Sequence, residues 1–115
     1  MTTHCLFCRI ITGDSPATVV HHDETLTAIR DIHPQAPVHL LILPNRHLAS
    51  VAEAVNGDEP LLGALLRTAA ELAVREGIAG SGYRLVVNTG GDAGQSVGHL
   101  HVHLLGGRRM RWPPG

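Results

Sequence analysis

The spacing of apolar residues along the chain changes several times, and each change predicts an element. LFCRIIT (6–12) has apolar positions at helical intervals, with Gly13 as a stop, which predicts a short helix covering one edge of the fold. TVVHHD (18–23) and TLTAIRD (25–31) read as two strands joined by a short turn at Asp23 and Glu24, a hairpin. The two prolines of HPQAP (33–37) mark a turn, and the almost unbroken apolar run VHLLILP (38–44) predicts a strong strand ending at Pro44.

Between Asn56 and Gly77 the period becomes helical: Leu61, Leu62, Leu65, Leu66, Ala69, Leu72 and Ala73 fall on one side. Asp58 suits the cap, Pro60 the first turn and Gly77 the stop. A strand, YRLVVN (83–88), then a glycine-rich loop, TGGDAGQSVG (89–98), lead into GHLHVHLL (98–105). There the alternation is strict. Residues two apart on a strand share a face, so His99, His101 and His103 lie on one side and Leu100, Val102 and Leu104 on the other. The leucine side is the expected core, and the histidine side is expected to face a cleft or solvent.

Five strands and one main helix, with short connections except across the helix, predict an antiparallel sheet with that helix on one face, an α+β fold. At 115 residues the chain is expected to form one domain, 1–115. A formal charge of -1 and only three aromatics, Phe7, Tyr83 and Trp112, argue against nucleic-acid binding. No apolar run reaches membrane-spanning length and the MTTHC opening does not resemble a signal peptide, so a cytoplasmic protein without membrane attachment is expected. Cys5 and Cys8 are the only cysteines, which excludes a disulfide framework and agrees with a reducing compartment.

Nine histidines are the unusual feature. Imidazoles spaced about 6–7 Å apart along a strand are too far apart for one tight cluster, but each can do a separate job. The adjoining loop can cradle an anion with its backbone N–H groups. It contains no lysine, so it is not a triphosphatase P-loop, but Ser96 offers a hydroxyl near a leaving group. Two chemical readings stay open on residues alone: His99 and His101 joining a third ligand around a metal, or one imidazole attacking phosphorus. Cys5 and Cys8, spaced C-x-x-C, are half of a structural zinc site or, equally, small buried apolar side chains.

GHLHVHLL matches the signature of the histidine triad (HIT) nucleotide hydrolases and transferases, and CLFCRII, RDIHPQAPVHLLILP, YRLVVNTGGDAGQSVGHLHVHLLGG and RWPPG resemble the Hint branch. The resemblance implies a HIT-like fold whose five-stranded sheet joins that of a second copy in a homodimer. The leucine-rich main helix lends that dimer a little support of its own, since its leucines spread beyond a narrow stripe. The implied reaction is hydrolysis of purine nucleoside phosphoramidates, at their P–N bond, or of aminoacyl-adenylates, giving AMP or GMP through a nucleotidyl-histidine. It makes His101 the nucleophile, with Ser96 on the leaving group, His103 donating to the phosphate and His39 supporting the imidazole network, and it counts His99 among the catalytic residues.

By the same resemblance Asp31 holds the ribose, Leu6, Phe7, Ile10, Ile29 and Ile32 form the base slot, and Asn88 and Gly94 lie near sugar and phosphate. Backbone N–H groups around Gln95 and Ser96 are expected on the phosphate oxygens, and Trp112 is expected to reach the partner's site. His33 and Arg30 depart from the usual pattern beside Asp31. Relatives with the same cysteine pair complete a structural zinc site with residues that correspond to His47 and His99, while active relatives lack the pair, which implies that catalysis needs no metal. The alternatives are a dinucleoside polyphosphate hydrolase of the Fhit branch, or a nucleotide-binding or scaffold protein with little turnover.

Overall fold

A computed structural model describes residues 4–115. Its elements are α1 (Leu6–Ile11), β1 (Val19–His22), β2 (Leu26–Arg30), β3 (Val38–Pro44), a 3-10 turn (Val51–Glu53), α2 (Glu59–Arg75), β4 (Tyr83–Val86) and β5 (Val102–Gly106). The five strands form one antiparallel sheet in the order β1-β2-β3-β5-β4. The α+β architecture expected from the sequence is the one observed. No helix among the described residues is long and apolar enough to cross a membrane.

The unbroken apolar run of β3 has a specific cause: both faces of this central strand are covered. Leu40 and Ile42 join Leu65, Ala69 and Leu72 of α2, together with Leu100, Val102 and Leu104. Leu41 and Leu43 point the other way and pack with Ile29 and with Phe7 and Ile10 of α1. The short helix therefore covers the second face of the sheet rather than an edge, because Phe7 and Ile10 need that apolar floor. The candidate site lies on this second face.

Local chemistry explains the boundaries. In the β1–β2 turn, Oδ1 of Asp23 accepts the N–H groups of Thr25 and Leu26 at 2.7 and 2.8 Å, a side-chain-built turn. Gly77 ends α2 with φ +77, and the N–H of Ile78 returns to the carbonyl of Ala73 at 3.0 Å. Asp58 stands at the N-cap position but does not cap with its side chain; its carboxylate instead accepts the N–H of Val55 and a guanidinium N–H of Arg46. Leu66, on the apolar side of the helical pattern, is 50% exposed, and Thr68 is buried.

Candidate active site

The strand that carries the histidines begins later than the alternation predicts. Only His103 of the three lies in β5, paired with Leu41 on one side and Val86 on the other. His99 lies in a bend and His101 in irregular chain before the strand, where the N–H of Leu100 donates to the carbonyl of Leu48 at 2.6 Å. The leucine side still enters the α2 core. The histidine side is no open cleft wall, since His99 is 0% and His101 5% exposed. Apolar packing of Phe7, edge-on to both rings with centroids 5.9 and 5.2 Å away, covers them.

Burial makes every ring nitrogen's partner informative, since a carbonyl only accepts and a backbone N–H only donates. Nδ1 of His101 donates to the carbonyl of His99 at 2.7 Å, so in the neutral ring the lone pair is on Nε2. The backbone N–H of Gln35 donates to Nδ1 of His39 at 3.0 Å, so His39 carries its proton on Nε2. That proton faces Nδ1 of His103 at 2.9 Å, which leaves the proton of neutral His103 on its own Nε2. The chain of bonds makes His101 Nε2 an electron-pair donor and His103 Nε2 a proton donor.

Burial disfavours the charged forms of His39 and His103. Burial, then the neighbouring His101 and His39, pushes His103 down to about 4. Burial also lowers His39, and the carboxylate of Asp31, 3.4 Å from its Nε2, only partly opposes this. Asp31 is itself fixed: its Oδ1 accepts the N–H of His33 at 2.8 Å, and its own N–H donates to the carbonyl of His39 at 3.0 Å.

His101, His103 and Asp31 border a cavity of about 290 Å³ on the α1 face of the sheet. Of the residues expected to contact a nucleotide, Leu6, Phe7, Ile10, Ile29, Ile32 and Ser96 line it as well. Asn88, Gly94, Gln95 and Trp112 do not. The N–H of Gln95 donates to the carbonyl of Gly90 at 3.1 Å and its side chain binds Gly90, Ala49 and Val97, so it braces the loop instead of offering a donor to an anion. The Gly94 N–H is likewise spent on Gly91. Trp112 is 79% exposed beside the Arg84 guanidinium, outside this cavity.

Arg30 borders the cavity, but its guanidinium makes a two-pronged ion pair with Glu76 at 2.8 and 3.0 Å. His33 is exposed at the rim. Sequence reasoning missed Leu41, although its period-two spacing with His39 and Leu43 signals the shared face, and missed the Gln35 N–H that sets the histidine tautomers. Pro16, Ala17 and Val97 also line the cavity and carry no comparable signal.

A second cluster adjoins the first. Sγ of Cys5 and Cys8 and Nδ1 of His47 and His99 all lie within 4.8 Å of one another. The pairs Cys5–His99, Cys8–His47, Cys8–His99 and His47–His99 are separated by 3.3, 3.3, 3.5 and 3.2 Å. Tetrahedral zinc at ordinary bond lengths sets nitrogens about 3.3 Å apart and nitrogen from sulfur about 3.6 Å. Nε2 of His99 donates to the carbonyl of Pro44 at 2.8 Å, so its Nδ1 lone pair is turned into the cluster. The N–H of Cys8 donates to Sγ of Cys5 at 3.4 Å, an interaction suited to a thiolate. These donors fit a zinc ion.

Asp31, His39 and His103 are as close together, yet do not fit a metal. The Gln35 N–H occupies Nδ1 of His39 and so keeps a proton on Nε2, the atom a metal would need.

The HIT domain family profile matches residues 12–110. An uncharacterized HIT-like protein of Synechococcus elongatus is 47% identical over 115 residues, covering 100% of both chains. The solved structure of a HIT family hydrolase from Legionella pneumophila superposes with a TM-score of 0.95 at 52% identity, over 96% of this chain and 99% of that one. A zinc-bound histidine triad family protein from Mycobacterium smegmatis gives a TM-score of 0.79 at 28% identity, over 94% and 78%. On sequence and fold together, the chain belongs to the HIT domain family.

Proposed function

We propose that this protein is a Hint-like hydrolase of purine nucleoside phosphoramidates. The observation that carries the reading is the Nδ1–H of His101 held on the His99 carbonyl, which leaves the Nε2 lone pair for a cavity that His103, Asp31 and Ser96 also line. Neutral imidazole is a competent nucleophile near pH 7 without a separate base. Nε2 attacks phosphorus and the P–N bond breaks. The departing nitrogen takes up a proton, which solvent supplies through the Ser96 hydroxyl. The new bond to His101 is again P–N, so the exchange needs no large uphill step. Water then attacks phosphorus, frees His101, returns a proton to solvent and yields the nucleoside monophosphate.

The remaining residues divide the binding. Nε2–H of His103 donates to a phosphate oxygen where negative charge concentrates. The remaining lone pairs of the Asp31 carboxylate accept ribose hydroxyls, and Leu6, Phe7, Ile10, Ile29 and Ile32 enclose the purine. Cys5, Cys8, His47 and His99 hold a structural zinc. When bound, that ion supplies cross-linking rather than chemistry, tying α1 to the segment before β5. A homodimer belongs to the same proposal, since Leu66, Val87 and Trp112 expose apolar surface. So does a cytoplasmic site of action, in keeping with cysteines that form no disulfide.

The test is a comparison of AMP release from adenosine 5′-phosphoramidate and from diadenosine polyphosphates. Faster cleavage of the phosphoramidate is expected. Faster polyphosphate cleavage would assign the protein to the Fhit-like class, and AMP binding without turnover would assign it a binding role.

A further inference from the structure

The nucleotide cavity continues beyond Ser96. Leu6, Ser96 and Val97 border it and also form a wall of a second, more open groove of about 510 Å³, completed by His4, Cys5, His47 and Gly98. The two spaces share Ser96, whose hydroxyl is assigned to the leaving nitrogen. Whatever is attached to that nitrogen therefore has this groove next to it.

The groove has a definite chemistry. No carboxylate lines it, and its polar side chains besides the Cys5 thiol are the Ser96 hydroxyl and the imidazoles of His4 and His47. His47 turns Nδ1 toward Cys8 and His99, which makes Nε2 its outward edge. A hydroxyl and an imidazole N–H donate to a carboxylate or carbonyl, while a second ammonium finds no carboxylate to accept from it.

Building on the phosphoramidase reading, we infer that this groove is the leaving-group subsite and that it takes an amine bearing a carboxylate. Its floor is made of residues of the Cys/His cluster. Selection among leaving groups is thus separate from the cavity that holds base and ribose.

Gly98 gives a clean way to test this. A Cβ built there meets no atom within 4 Å, its φ is not in the left-handed region, and it borders the groove but not the nucleotide cavity. The substrates are adenosine 5′-phosphoramidates that release ammonia, a carboxyalkylamine, or a diaminoalkane of equal length. Wild type is expected to favour the carboxyalkyl compound over the aminoalkyl one by about tenfold, the worth of one charge-assisted hydrogen bond. Gly98→Phe is expected to abolish that preference through KM while changing the ammonia-releasing reaction by less than about twofold. His4→Ala is expected to reduce the preference in part. Calorimetric titration of His101→Ala gives a readout without turnover, and there the carboxyalkyl conjugate is expected to bind about tenfold tighter than the aminoalkyl one.

An unchanged preference in Gly98→Phe, or equal losses on all three compounds, would overturn the subsite. If wild type cleaves the ammonia-releasing compound but shows no preference, only the subsite fails. If it cleaves none of the three, the phosphoramidase reading fails with it.

Discussion

Nε2 of His39 donates to Nδ1 of His103 at 2.9 Å, and the Gln35 backbone leaves His39 no other tautomer. In the proposed reaction His103 therefore presents an N–H to the phosphate through a proton arrangement set two residues away. His39→Ala leaves His103 free to adopt the wrong tautomer. Steady-state kinetics should show kcat reduced roughly 10–100-fold with a smaller change in KM. A change confined to KM would mean that His39 only shapes the cavity.

The same neutral rings predict an acid-labile fold. His103 titrates near 4 when folded and near the ordinary 6.5 when unfolded. Between those values the unfolded chain binds a proton that the folded one refuses, so stability falls as pH drops from 6.5 to 4, by on the order of 1–3 kcal/mol for this ring. His39 is lowered in the same direction and adds to the decline. Asp23, held down to about 2 first by the N–H of Leu26, adds a further loss as pH falls below 4. Urea denaturation across pH 7 to 4 checks the sign, and His103→Gln should flatten the profile.

Zinc content is checked by metal analysis of protein prepared without chelators, with about one zinc per chain expected. Cys8→Ser should bring that close to zero. If the lost cross-link is worth even ~2 kcal/mol, Tm falls by about 10 °C in a chain of this size. Retained Tm together with absent zinc would make Cys5 and Cys8 ordinary packing residues.

Gly106 closes β5 where Ile78, the residue after the Gly77 stop, lies against it. A Cβ at Gly106 sits 2.5 Å from Cδ1 and 3.0 Å from Cβ of Ile78. Gly106→Ala should cost about 1–3 kcal/mol, measurable by denaturation, and Ile78→Ala in the same chain should recover part of that loss. An unaffected Gly106→Ala would show that Ile78 shifts freely.

Much of this was legible from residue spacing. The alternation of Leu100, Val102 and Leu104 placed them in the α2 core, and Asp58, Pro60 and Gly77 bracketed α2 correctly. Legibility failed where one pattern served two masters. GHLHVHLL reads as an unbroken strand, yet the ring of His99 is held by Pro44 and faces the cysteines, so pairing starts only at Val102. Asp58 reads as a cap, but Arg46 and Val55 compete for its carboxylate. Gln95 reads as part of an anion-binding loop, but backbone pairing with Gly90 consumes its N–H. Such competitions are settled by contacts distant in sequence, which local spacing does not encode.

The nucleophile assignment rests on the lone pair of His101, and acid-quenched mass analysis after brief reaction with adenosine 5′-phosphoramidate tests it most directly. A nucleotidyl adduct on the peptide containing His101, absent together with AMP release in His101→Ala, is the predicted result. Steady AMP release by His101→Ala at the wild-type rate would contradict it and place the chemistry on another group.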